Sequence, residues 1–175
     1  SFRAAFWWNE RQCLHDVLQP APNNQLRPNQ IFAVSLPHSP LNEVQQRAVV
    51  KIVGDRLLTP YGLRTLDRDD PNYRGRYDGS LFERDQAYHN GTVWPWLIGP
   101  YCEALLRVEK FSDAAKHKVR KILQPLLNEL DVPNGGCVNQ LAEVYDGDEP
   151  QRPNGCPAQA WSVAEVLRLL TMVGE

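Results

Sequence analysis

Apolar positions along this chain recur at three- and four-residue intervals, the period of helices that bury one face. The clearest run is Leu41 to Leu58, where Leu41, Val44, Ala48 and Ile52 repeat on one side, flanked by Val49, Val53 and Leu57. Phe2 through Leu18 reads as a helix built on Phe6, Cys13, Leu14, Val17 and Leu18, stopped ahead of Pro20 and Pro22. Pro28 suits the first turn of a short apolar segment that ends at Leu36. From Thr92 to Glu109 the stripe is Trp94, Leu97, Ile98, Tyr101, Leu105 and Val108, with a kink expected at Pro100, which deletes a backbone hydrogen bond. Ser112 is a good N-cap for a helix to about Leu130 carrying Ala115, Val119, Ile122, Leu123, Leu127 and Leu130, with Pro125 a second expected kink. The last helix starts at Pro157, runs to about Met172 and should bury Trp161, Ala164, Leu167 and Leu170. No alternating strand pattern is convincing. The expected class is all-α, an array of antiparallel helix hairpins.

The lengths of the connections carry further information. Successive loops between antiparallel neighbours fall at opposite ends of the array. The second and fourth connections, around Pro37–Pro40 and Lys110–Phe111, are very short, whereas the first, third and fifth are longer. The third (Thr59 to Gly91) and fifth (Asp131 to Gly155) are exceptional, and unstructured loops of that length are usually functional. All the long ones land on one end. That end is the expected site, and the other is scaffold.

Composition narrows the chemistry. The 175 residues suffice for one domain, and 42% hydrophobic with five Trp describes a globular protein. The net charge of −2 gives no electrostatic reason to expect nucleic acid or an anionic membrane. The longest stretch without a charged residue, Gln86 to Cys102, is too short and too polar to span a bilayer, and no signal-peptide pattern opens the chain. Cys13, Cys102, Cys137 and Cys156 form no metal-binding spacing; no metal or other cofactor is expected, and Cys13 beside His15 reads as a helix position next to a surface imidazole. Free thiols in a reducing cytoplasm are the better reading.

The loop-bearing end mixes carboxylates, arginines, amides and aromatic rings, with no thiol or imidazole cluster. Arg64, Tyr73, Tyr77, Asp85, Tyr88 and His89 come from the third connection; Glu143, Tyr145, Asp146 and Asp148 come from the fifth; Arg27, Asn29, Trp94 and Trp161 come from helix starts. Such a set suits a neutral polyhydroxylated ligand, because rings cover the C–H patches of a sugar and planar polar groups take its hydroxyls. Each residue also has a plainer reading. Arg64 and Asp85 could be a structural pair, His89 a helix cap, and Trp94 and Trp161 ordinary core. Asp146-Gly147-Asp148-Glu149 looks like a calcium loop but lacks the further ligand spacing and the terminal Glu. Residue chemistry alone does not choose among the carboxylates.

Four strings add specificity: Arg27 to Ala33 (RPNQIFA), Leu58 to Leu66 (LTPYGLRTL), Tyr88 to Trp96 (YHNGTVWPW), and Asp146 to Pro150 (DGDEP) leading to Gly155–Ser162 (GCPAQAWS). In these, and in their order, the chain resembles the amylo-α-1,6-glucosidase module of glycogen debranching enzymes. The family often has Gln where this chain has Asn90. The resemblance implies an (α/α)6 toroid of which this chain is the C-terminal part, a glycogen or branched α-glucan substrate, and inverting hydrolysis of α-1,6-linked glucose in the cytoplasm. It also implies Glu143 as general base, with His89, Asn90, Trp94 and Trp161 in the sugar subsite. Arg27 and Asn29 would line or brace the funnel. The general acid would lie upstream, in a missing N-terminal half of the catalytic domain. A partial toroid alone would be nearly inactive and would expose apolar faces that favour a homodimer. A glucoamylase- or trehalase-like toroidal glycosidase, a noncatalytic glycan-binding module and an inert helical scaffold remain as alternatives.

Overall fold

The computed structural model describes residues 1–131 and 137–174. In chain order its elements are α1 (Phe2–Phe6), β1 (Trp7–Trp8), β2 (Cys13–Leu14), α2 (Phe32–Ser35), α3 (Glu43–Leu57), β3 (Leu58–Thr59), β4 (Gly62–Arg64), α4 (Leu81–Tyr88), β5 (Val93–Trp94), α5 (Ile98–Val108), α6 (Asp113–Asp131), β6 (Val144–Tyr145), β7 (Pro153–Asn154) and α7 (Ala160–Val173). Single 3-10 turns, Pro28–Ile31 and Pro95–Leu97, lead into α2 and α5.

Helix α5 is central. Ile98, Tyr101, Cys102, Ala104, Leu105 and Leu106 are all buried, so it is apolar on nearly every side, and α2, α3, α6 and α7 pack around it. Helix α3 opens with a capping box between Asn42 and Gln45 and turns Val49, Val50, Val53 and Leu57 inward. Val44, expected in its stripe, is 73% exposed. Helix α7 buries Ser162, Val166, Leu169 and Val173. Most of the face expected inside is instead outside: Ala164 is exposed, and Trp161 and Leu167 are 45% and 59% exposed, while Leu170 is half-buried against the core. Apolar residues populate more than one side of both helices, so spacing alone admits either face and the packing partner decides. Helix α6 follows expectation more closely, capped by Ser112 Oγ and burying Ala115, Val119, Leu123 and Leu126, with Pro125 inside a continuous helix. Pro100 falls in the first turn of α5.

The all-α expectation needs correction, because seven helices are accompanied by two antiparallel sheets among the described residues. The strands are two or three residues long, too short to show a two-residue period. The expected helix Phe2–Leu18 ends at Phe6; Trp7 and Trp8 then pair with Leu14 and Cys13 in a hairpin. Aromatic contacts favour that hairpin over a continued helix: Trp8 stacks on His15 at 4.8 Å, and the Arg11 guanidinium lies 5.1 Å from its ring centre. Cys13 is therefore a buried strand residue.

The second sheet has the order β3-β4-β5-β6-β7 and gathers the long connections. Strands β3 and β4 come from the third connection, β5 from the lead into α5, and β6 and β7 from the fifth; Val93 opposite Tyr145 joins the two groups. The third connection is not bare loop, since it also contains α4, held by a capping box between Ser80 and Glu83. Arginines tie the two connections together. Arg64 Nε donates to the Gly147 carbonyl at 2.9 Å rather than pairing with Asp85, which is exposed on α4. Asp146 accepts from the Tyr77 N–H at 2.9 Å, Asn154 Nδ2 at 3.1 Å and Arg76 Nη1 at 3.2 Å, and Asp148 accepts from Arg68 at 2.8 Å and the Tyr73 hydroxyl at 3.0 Å. The calcium-like string is thus a brace between loops. The four cysteines are free thiols, and no helix among the described residues is long and apolar enough to cross a membrane.

Candidate active site

A cleft of about 320 Å³ opens where the long connections meet, lined by Arg27, Pro28, Asn29, Thr65, His89, Trp94, Trp96, Leu97 and Trp161. Its walls come from four separate chain segments. Trp94 is buried, and its indole Nε1 donates to the Tyr88 carbonyl at 3.0 Å and to Thr92 Oγ1 at 3.2 Å. The His89 ring stacks on Trp94 with centroids 5.3 Å apart and planes 13° from parallel. Trp161, at the start of α7, leans against Trp94 and Trp96 at 5.9 and 5.7 Å. Partial burial and the nearby Arg27 charge depress the His89 pKa, favouring a neutral imidazole beside the rings. Aromatic faces with few charges turned inward suit an uncharged, hydroxyl-rich ligand.

Arg27 works mainly as a clamp. Its guanidinium donates to the His89 carbonyl at 2.6 Å, the Thr65 carbonyl at 3.2 Å, Asn90 Oδ1 at 2.8 Å and Gln25 Oε1 at 3.0 Å. The planar fork reaches several acceptors at once, as lysine could not. Asn90 is engaged at both ends of its amide, because its Nδ2 also donates to the Gln86 carbonyl at 2.9 Å. Asn29 lines the cleft while its Nδ2 donates to Asp16 Oδ1 at 2.9 Å.

Glu143 stands one residue behind this wall. The Tyr88 hydroxyl donates to its Oε1 at 2.6 Å, and the Cys156 N–H donates to its Oε2 at 3.0 Å. Gln159 Nε2 lies 3.5 Å from Oε1. Tyr88 in turn packs on His89 and Trp94, with ring centroids 4.8 and 4.9 Å away. Gly155, at φ +69°, makes room for the carboxylate, because a Cβ there would sit 2.5 Å from Glu143 Oε2. Each carboxylate oxygen has two lone pairs, so these donors leave capacity to accept a proton from water. The structure brings together His89, Trp94, Trp161, Arg27 and Asn29 around one cleft, with Asn90 and Glu143 in the layer beside it. Sequence reasoning names Tyr88 only within the mixed polar and aromatic set and leaves Thr65 and Trp96 without a role. Thr65 lies within the LTPYGLRTL string and Trp96 within YHNGTVWPW, the signals that could have flagged them.

Residues 1–168 match the sequence model of a family described as amylo-alpha-1,6-glucosidase. The chain belongs to that family. It is also 31% identical over 182 residues to a glycogen debranching enzyme of Saccharomyces cerevisiae, a match covering 92% of this chain. The chain spans only 12% of that relative's length. The amylo-alpha-1,6-glucosidase match takes in every residue of the cleft and Glu143 with its partners.

Proposed function

We propose that this chain is the part of an amylo-α-1,6-glucosidase catalytic domain that holds the sugar and activates the water. The substrate is a glycogen or related branched α-glucan, and the cleft takes the single α-1,6-linked glucose at a branch stub. Glu143 is the general base. It draws a proton from a water whose oxygen attacks the anomeric carbon; the bond from that carbon to the leaving oxygen breaks, and a second carboxyl group, the acid, protonates the departing hydroxyl. Inversion requires the two carboxyl groups to stand roughly 6.5–9.5 Å apart with the water between base and sugar. The acid and the remaining helices of an (α/α)6 toroid belong to another stretch of the longer, cytoplasmic protein. Those helices would cover the outward apolar face of α7, which in isolation would draw a second copy.

The observation that carries this reading is a carboxylate fixed by two donors directly behind an aromatic cleft, in a chain of this family. Proton NMR of the full-length protein acting on a phosphorylase-limit dextrin tests it. Newly released glucose should appear first as the β anomer and mutarotate afterwards. Release of the α anomer would overturn the inverting mechanism, and no release would bring forward a noncatalytic glycan-binding module.

A further inference from the structure

Resting on the reading of Glu143 as base, we infer that Tyr88 is the positioning residue for catalysis, fixing the carboxylate to the wall that holds the sugar. Its hydroxyl meets Glu143 Oε1 at 2.6 Å across 55 residues of sequence. Burial, reinforced by that hydrogen bond, pushes the phenol well above its usual range, so it remains the donor wherever the enzyme works. The hydroxyl proton therefore stays on Tyr88 and points at Glu143 Oε1, so the contact orients the carboxylate.

The other end of the residue is tied to the cleft. The Tyr88 carbonyl accepts both the Trp94 indole N–H at 3.0 Å and the Thr92 hydroxyl at 2.6 Å. Its ring is packed among Tyr77, His89 and Trp94 at 4.8–5.5 Å. Arg27 holds the next carbonyl, that of His89, from the far side. Tyr88 cannot shift without moving the wall of the cleft, and Glu143 cannot swing freely while Tyr88 and the Cys156 N–H hold its two oxygens. The distance between base and bound sugar is thereby tied to the Tyr88 side chain. A misplacement of about 1 Å in such a constellation can cost on the order of 10²-fold in rate.

The test is Tyr88→Phe in the full-length protein, with Glu143→Gln measured in parallel on a phosphorylase-limit dextrin. Phenylalanine keeps the ring and deletes only the donor. The expected result is a fall in kcat of roughly 10- to 100-fold, the range for losing a hydrogen bond to a charged group, with KM and the melting midpoint unchanged. Wild-type kcat in Tyr88→Phe alongside a collapsed Glu143→Gln would overturn the role of Tyr88 alone. A raised KM with kcat intact, or a lowered melting midpoint that accounts for the lost activity, would make Tyr88 a wall residue and also overturn it. Full activity in Glu143→Gln would remove the base assignment and this inference with it.

Discussion

Two tryptophans from the same loop-bearing end are used in opposite ways. Trp94 is buried and spends its indole N–H on the Tyr88 carbonyl, so it builds the cleft. Trp161 is 45% exposed and offers its ring to solvent at the cleft's edge. Removing Trp161 therefore takes away part of the cleft surface, where the sugar is proposed to bind, more than a piece of core. In the full-length protein, Trp161→Ala should raise KM for dextrin by roughly tenfold while leaving kcat within about twofold, because ring–sugar contact acts alike on ground and transition states. Initial-rate kinetics check this, and an unchanged KM would place the ring outside the subsite. The sequence supplied Trp161 as a candidate through its string but put it on the buried face of its helix. The Tyr88–Glu143 contact was not legible at all. Nothing local in Tyr88 or Glu143 announces a partner 55 positions away; the pairing of β5 with β6 and the arginine contacts between the connections bring those loops together.

Among the elements, the longest helices were easiest to read and the shortest strands hardest. α3 and α6 emerge from their own spacing because a three-turn stripe is redundant information. The strands of the second sheet carry two or three residues each, and their pairing depends on loops folded far from one another. α4 lies between these cases. Ser80 and Glu83 form a capping box, a signal present in the sequence, yet the helix behind it is eight residues long and exposes Leu81 and Phe82. That helix matters because Tyr88 is its last residue. Ser80→Ala should cost about 1 kcal/mol of helix stability. Hydrogen exchange should quicken across Leu81–Tyr88 and kcat should drop modestly, whereas unchanged exchange would mean that Tyr88 is held by its own contacts and not by α4.

At the scale of the whole molecule, the alternation of short and long connections was the most informative reading. It placed the first, third and fifth connections at one end, and there the structure joins them: Arg27 clamps the His89–Asn90 turn, Arg64 and Arg76 tie the third connection to the fifth, and the five-stranded sheet runs through both. What the alternation could not reveal is that these connections are themselves folded. Part of their charge goes into pairs between the connections, Arg68 with Asp148 and Arg76 with Asp146, and part into pairs with α3, where Arg56 meets Asp67 and Asp69. Scaffold helices on one side and a braced, aromatic cleft with a held carboxylate on the other make a domain whose proposed function concentrates on Glu143. The most direct measurement is glucose release from a phosphorylase-limit dextrin by the full-length protein with and without Glu143→Gln. The substitution keeps the size of the side chain and removes the proton acceptor, so turnover should fall by at least roughly 10²-fold while dextrin binding persists. Release at the wild-type rate from Glu143→Gln would contradict the account and place the base elsewhere.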